Sequence, residues 1–278
     1  MFKYFKESFA RKKARRVTAK YPYEIDSFQL AKEGTVQFAN WKNPLIPPKT
    51  ITQAEINFFR RFATPGSFSI DVGANIGDTT VPMAVAVGKT GLTLAFEPNP
   101  TTHEILDANA QLNKDTTNIV PLAYAVTEEE GDFFYSSSEA SFGNGGVSAS
   151  AAEADQHGKF KLEKKVRGIN LNQYLNQYYK AYLPKLSLIK IDVGGNDIDV
   201  IRSISSLIDA YKPTIIAECF SKATLEERVD LYNLVADHKY TLYYFSDFDE
   251  NAEIIKLSSH DMIRWKNFNF YATPDEAV

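Results

Sequence analysis

The stretch Ser69-Ile70-Asp71-Val72-Gly73-Ala74-Asn75-Ile76-Gly77-Asp78, followed about twenty residues later by Ala95-Phe96-Glu97-Pro98-Asn99, decides the fold. Phe68, Ile70 and Val72 have strand character, Gly73 and Gly77 allow close backbone approach, and Ile76 to Val87 is apolar enough for a helix packed on a sheet. A turn of this kind aims free backbone N–H groups and the positive end of a helix at whatever lies above the strand. Glu97 ends the next strand, where an acidic residue can accept hydrogen bonds from both hydroxyls of a ribose. The spacing points to a nucleoside cofactor without naming one.

Asp71 narrows the choice. Dinucleotide enzymes carry three glycines in G-x-G-x-x-G, whereas this chain has Gly73-x-x-x-Gly77 with a carboxylate two residues before it. That carboxylate can meet the ammonium of an amino-acid moiety, directly or through water, which suits S-adenosylmethionine better than NAD. On its own, G-x-x-x-G can equally serve helix packing.

Three separated motifs in order resemble one family. Asp71-Val72-Gly73-Ala74-Asn75-Ile76-Gly77, Phe96-Glu97-Pro98-Asn99-Pro100, and Leu188-Ile189-Lys190-Ile191-Asp192-Val193 with Ile198-Asp199-Val200-Ile201 look like the FkbM family of S-adenosylmethionine-dependent methyltransferases, over about Thr64 to Phe220. The resemblance implies a Rossmann-like class I methyltransferase fold and methylation of an oxygen on a sugar, glycan or small metabolite. It places Asp71, Gly73, Asn75 and Gly77 around the methionine moiety, Asp78 and Thr79 close by, Glu97 on the ribose, and Asn99 and Ala125 near adenine. The family commonly has Asp-Val-Glu-Gly where this chain has Asp192-Val193-Gly194-Gly195. Gly194 therefore motivates a second reading, a cofactor-binding protein with altered or lost catalysis; a nucleotide-dependent oxidoreductase is the third.

Outside these motifs, strands near 67–72, 92–97, 118–126, 186–193 and 213–219 alternate with helices near 76–87, 100–113, 197–210 and 224–238. Alternation of that kind builds a mainly parallel α/β sheet covered on both faces. Tyr240 to Phe245 and Phe268 to Ala272 add two strands, so seven are expected, one antiparallel at the sheet edge. Residues 21–63 read as an N-terminal cap, with a loop through Trp41 and Pro44-Leu45-Ile46-Pro47-Pro48 and a helix from Thr52 to Phe62. The methyltransferase domain is expected over 64–278, with an insertion at about 128–170. There Phe133-Phe134-Tyr135 is expected as a short strand, and 141–146 with 148–150, small and flexible, read as a candidate lid over acceptor or cofactor, the alternative being an ordinary flexible loop.

An alcohol acceptor needs its proton to leave as the methyl arrives. Asp192, at the end of its strand, is the first candidate to orient the acceptor or accept that proton; its alternative is a helix N-cap. Glu218 is a second candidate, and His157 in the insertion a third, against a merely solvated histidine. His103, His238 and His260 read as surface or packing. No pair of histidines has ligand spacing, so no metal site is assigned, although carboxylates gathered at the strand ends leave a divalent metal open.

Composition sets the remaining bounds. The chain has 278 residues, 44% of them hydrophobic, enough for a sizeable core. No run approaches a membrane span, no secretory signal is visible, and Cys219 is the only cysteine, so a reducing cytoplasm is expected and an internal disulfide is excluded. Residues 1–20 carry eight Lys or Arg against Glu7 alone, a net +7; with the whole chain at −4, the rest carries −11. Phe2, Phe5 and Phe9 at helical spacing beside those cations suit either a solvated tail or peripheral contact with an anionic membrane. Nucleic acid is not expected as a partner, and nothing here sets the oligomeric state.

Overall fold

The structure is a computed structural model and describes residue 9, residues 11–157 and residues 159–275. Phe2, Phe5 and Lys6 of the basic tail lie outside the described residues. The sheet that carries the first motif has eight strands: β3 (Phe68–Val72), β4 (Leu92–Phe96), β5 (Ile119–Leu122), β11 (Leu186–Ile191), β12 (Thr214–Cys219), β13 (Tyr240–Phe245), β14 (Ile254–Lys256) and β15 (Phe268–Pro274). They run in the order β14-β13-β15-β12-β11-β3-β4-β5. Every residue of β3 and β4 is buried, as a parallel strand covered on both faces requires.

Two features differ from expectation. The strand count is eight because Ile254–Lys256, within the connection read as a loop, pairs antiparallel with β13 at the edge. The antiparallel strand formed by 268–274 is not at the edge but lies between β12 and β13. Its aromatic run is apolar enough to be buried on both sides, and Phe270, Tyr271 and Ala272 are each at most 5% exposed.

Apolar packing fills both faces. Ile70, Ile189, Ile191, Ile215 and Phe270 belong to one core, whereas Leu188, Ile216 and Tyr271 belong to the other, the alternation a pleated strand imposes. The second core is completed by α1 (Gln53–Arg60) and α2 (Thr80–Val87). Thr52 caps α1 by accepting from the Glu55 N–H at 3.1 Å. All eight residues of α2 are buried, and Pro82 sits in its first turn, where a missing N–H costs nothing. That helix starts at Thr80 rather than near Ile76, because 77–79 form a turn.

Residues 21–63 contain a hairpin that the loop reading overlooked. β1 (Tyr23–Leu30) pairs antiparallel with β2 (Gly34–Trp41), and Gly34 takes φ +72° to complete the reversal. Val36, Phe38, Ala39 and Trp41 enter the second core. Two asparagines of α3 (Pro100–Leu112) and its C-cap tie the hairpin down: Asn109 Oδ1 accepts from the Ala39 N–H at 2.6 Å, and Asn113 Nδ2 donates to Gln37 O at 2.7 Å. Side-chain amides thus occupy a strand edge that would otherwise be open.

The expected strand 118–126 is broken. Its first half is β5; Tyr124 N–H turns back to Leu122 O, and β6 (Ala125–Val126) joins a second sheet. That sheet is built from the insertion and is larger than the single strand expected there: β7 (Gly131–Ser137), β8 (Gly146–Ser148), β9 (Phe160–Lys161) and β10 (Val166–Ile169). Helix α4 (Ala151–His157) and α5 (Leu171–Tyr178) flank its later strands in sequence. The helix expected over 197–210 is two, α6 (Asp197–Ser203) and α7 (Ser205–Tyr211), interrupted at Ile204. Helix α8 (Leu225–Ala236) opens on a capping box between Thr224 and Glu227.

Candidate active site

The carboxyl ends of β3, β4 and β11 are neighbours, and strand order reverses there, with β4 on one side of β3 and β11 on the other. In open α/β sheets that is where ligands sit. A cavity of about 270 Å³ occupies the place, lined among others by Gly73, Asn75, Asp78, Thr79, Glu97 and Asp192. Ala125 lines it as well.

Several motif residues act differently from expectation. Four backbone N–H groups of the turn are engaged internally: Gly73 and Ala74 donate to Phe96 O at 3.0 Å each, Asn75 donates to Glu97 Oε2 at 2.8 Å, and Gly77 donates to Ala74 O at 2.8 Å. Asp71 is fully buried and faces inward. Its Oδ2 accepts from the hydroxyls of Thr79 (3.0 Å) and Thr80 (2.6 Å), and its Oδ1 lies 3.1 Å from Lys190 Nζ as an ion pair. It positions the turn and the lysine, and the ammonium it meets in the structure is that of Lys190. Gly77 lies off the cavity and serves packing: with φ +92°, a Cβ there would stand 3.0 Å from Leu106 Cδ1 on α3. Asn99 is buried as well; its Oδ1 caps α3 through the Thr101 N–H, and its Nδ2 donates to Phe142 O at 2.8 Å.

Gly73 has a stricter requirement. Its φ is +80°, and a Cβ would fall 1.8 Å from Asp192 O, inside any contact distance. The turn after β3 and the end of β11 are therefore in backbone contact, and only glycine fits between them.

Glu97 is 6% exposed. Its two oxygens already accept N–H groups, Asn75 on Oε2 and Asn99 on Oε1, both at 2.8 Å. Each retains a lone pair, so the carboxylate can still take two hydroxyls. Burial pushes its pKa up to about 7, against the pull of the Asn99 and Asn75 N–H groups. Asp78 is likewise raised by burial, with Lys190 and Lys49 pulling it down.

Lys190 is a buried hub: its ammonium reaches Asp71, Gly73 O at 3.3 Å, and Asp192 Oδ2 at 3.8 Å. Burial alone would lower its pKa, but Asp71, Asp192 and Asp78 outweigh it and hold the lysine above its ordinary value. Asp192 is half-exposed in the cavity and is not the N-cap of α6. Asp197 does that local work: its carboxylate accepts from Gly195 N–H (3.1 Å) and Val193 N–H (3.4 Å), and burial, then the nearby Asp192, raises its pKa to about 7. An acid inside its own first helical turn was the available signal for this.

Glu218 stands outside the cavity lining, held by Asn267 Nδ2 at 2.6 Å, while its neighbours Ile216 and Ala217 line the wall. Burial raises its pKa, with Asp192 adding to the effect. His157 ends α4, and its side chain lies outside the described residues. Among the described residues no group of three His, Cys, Asp or Glu is placed to hold a metal.

The glycine-rich part of the insertion forms the cavity's cover. Phe142 O accepts from Asn99, Gly143 O accepts from Asn75 Nδ2 at 3.2 Å, and Asn144, Gly145 and Gly146 line the cavity. Tyr135, missed as a site residue, is 5% exposed in the wall, and burial with the nearby Glu97 raises its phenol well above its ordinary value. A Cβ on Gly145 would stand 2.5 Å from the Tyr135 ring. On the other side of this loop lies a second cavity of about 660 Å³, which shares Asn144, Gly145, Gly146 and Gly194 with the first.

The chain is similar to known methyltransferases. The hexuronic acid methyltransferase AglP of Haloferax volcanii is 26% identical over 147 residues, which are 52% of this chain and 53% of that protein, so the chain matches about half the length of this curated relative. An FkbM methyltransferase structure from Methylobacillus flagellatus superposes with TM-score 0.46 at 12% identity, covering 78% of this chain and 50% of that one. TYW2 of M. jannaschii in complex with AdoMet gives TM-score 0.42 at 14% identity, covering 92% and 87%. The methyltransferase FkbM domain model matches residues 71–257, from Asp71 through both further motifs and past β14, and the chain belongs to that methyltransferase family.

Proposed function

We propose that the chain is an S-adenosylmethionine-dependent O-methyltransferase acting on a hydroxyl of a sugar, glycan or small metabolite. The observation that carries this is the charge of the cavity: among its lining residues Asp78, Glu97 and Asp192 stand against Lys190 alone. Such a site suits a cofactor with a sulfonium and an ammonium better than the pyrophosphate of a dinucleotide. The relative from Haloferax acts on a hexuronic acid, which supports a sugar hydroxyl as acceptor.

In this reading Glu97 takes the ribose hydroxyls, Ala125 borders the adenine, and Asp78 and Thr79 border the methionine moiety. The cofactor, when bound, supplies an activated methyl group. Asp192, half-exposed and near the Lys190 ammonium, accepts a hydrogen bond from the acceptor hydroxyl and orients it. The second cavity holds the acceptor, meeting the first beside Gly145, Gly146 and Gly194, which carry no side chain. Ser136 supports this: it lines that cavity, is 1% exposed, and its hydroxyl has no partner among the described residues. The division into a tail (1–20), an extension (21–63) and a methyltransferase domain (64–278) belongs to the same proposal.

Calorimetry with S-adenosylhomocysteine and with NAD tests the cofactor. Binding of the first, lost in Glu97→Ala with thermal melting unchanged, is expected; binding of NAD alone would refute it. The reading of lost catalysis rests on Gly194, whose φ is +72°. Methyl transfer from labelled cofactor to any acceptor in a sugar panel would eliminate it.

A further inference from the structure

The basic stretch at the start of the described chain is tied to the cover of the cavity and turns apolar groups to solvent. Residues 11–14 are helical; within them Ala14 is completely buried, and the Arg15 carbonyl accepts from the Ala140 N–H at 3.3 Å. Ala140 adjoins Glu139, whose carboxylate faces the charge of Arg15. Two residues further on, the Phe142 and Gly143 carbonyls receive the amides of Asn99 and Asn75. One continuous set of contacts therefore runs from Arg15 to the cofactor motif.

The outer side of this stretch has an unusual composition. Arg11, Lys12, Lys13, Arg15 and Arg16 are all exposed, and Lys20 pairs with Glu104. Among them and just after them, Phe9 (72%), Val17 (46%), Tyr23 (41%) and Ile25 (51%) are exposed large apolar side chains. Between residues 11 and 25 the only acid is Glu24, while the remainder of the chain is strongly acidic. Clustered cations interleaved with exposed aromatic and aliphatic groups match an interface that is anionic outside and apolar beneath, which is a bilayer surface. A nucleic acid would use the cations but would leave the aliphatic Val17 and Ile25 uncompensated.

We propose that Phe9 and residues 11–25 bind an anionic membrane surface and that, through Ala14, Arg15 and Ala140, this docking stiffens the 139–146 cover of the cavity. The full chain sediments with vesicles of phosphatidylcholine and phosphatidylglycerol and not with phosphatidylcholine alone. At about 1 kcal/mol per cation near such a surface, the triple variant Lys12→Gln, Lys13→Gln, Arg16→Gln binds about a hundredfold more weakly, with an unchanged melting temperature. Phe9→Ser weakens binding at any salt concentration, whereas the cation variants lose their effect in high salt. With the anionic vesicles present, amide exchange across 139–146 slows. Failure to sediment with them, equal binding to both vesicle types, or binding to duplex RNA but to neither vesicle would overturn the surface; unchanged exchange at 139–146 in the vesicle-bound protein would overturn the coupling.

Discussion

Replacing Lys190 by methionine removes one ammonium from a site where three oxygens depend on it. Asp71 is wholly inaccessible, Lys190 is 6% exposed, and the pair is 3.1 Å apart. After the substitution Asp71 Oδ2 keeps the two threonine hydroxyls, but Oδ1 and Gly73 O lose the cation. Leaving a buried charge unpaired typically costs about 3–5 kcal/mol. With the threonines still in place the lower figure applies, and at roughly 2–4 °C per kcal/mol for a chain of this size, melting falls by about 6–12 °C at neutral pH. The double variant Asp71→Asn, Lys190→Met recovers most of the loss, because both charges go together. Scanning calorimetry at neutral pH on the wild type, both single variants and the double reads all of this. A Lys190→Met protein melting within about 2 °C of wild type, or a double variant no better than the single, would refute the view that this ion pair holds the turn.

Further outcomes follow from the same geometry. Glu97, with its pKa raised to about 7, takes ribose hydroxyls best when ionised, so S-adenosylhomocysteine affinity is full above pH 7 and declines by up to about tenfold per unit below it; Glu97→Gln should bind weakly and show no such slope in calorimetry. Gly73→Ala must displace backbone, since its Cβ meets Asp192 O at 1.8 Å, and the left-handed φ adds roughly 1–2 kcal/mol; loss of both folding stability and cofactor affinity is expected by urea unfolding and calorimetry. Arg228, 7% exposed, donates to the carbonyls of Phe220, Ala223, Met262, Trp265 and Lys266, so Arg228→Met leaves several buried acceptors unmet and costs roughly 3 kcal/mol or more in urea unfolding.

Much of this site is readable from residues that are near one another in sequence. Gly73, Asp78 and Glu97 could be placed because an apolar strand, a turn and a helix leave little choice about where their side chains meet. Asp71 and Asn99 were placed in the right neighbourhood with the wrong neighbours. The hydroxyls of Thr79 and Thr80 and the carbonyl of Phe142 compete for the same atoms that a ligand would use, and local sequence does not rank such competitors. Lys190 and Tyr135 were harder still. They reach the site through pairing of β11 with β3 and of β7 with β8, contacts separated by more than a hundred residues in the first case. The β1–β2 hairpin escaped notice because only one of its strands is well buried and its turn lacks an Asn-Gly signal.

The backbone contact between Gly73 and the Asp192 carbonyl has a consequence for how such a protein can diverge. Gly73 cannot gain a side chain, and the Asp192 carbonyl cannot move inward, without dislodging the other, so the backbone path at the end of β11 is fixed. The residues free to drift are those on the far side of that joint, in the Gly194 turn and in the strands of the 128–170 insertion. Lineages that acquire new acceptors should therefore record the change in the length and composition of the insertion while keeping the joint intact.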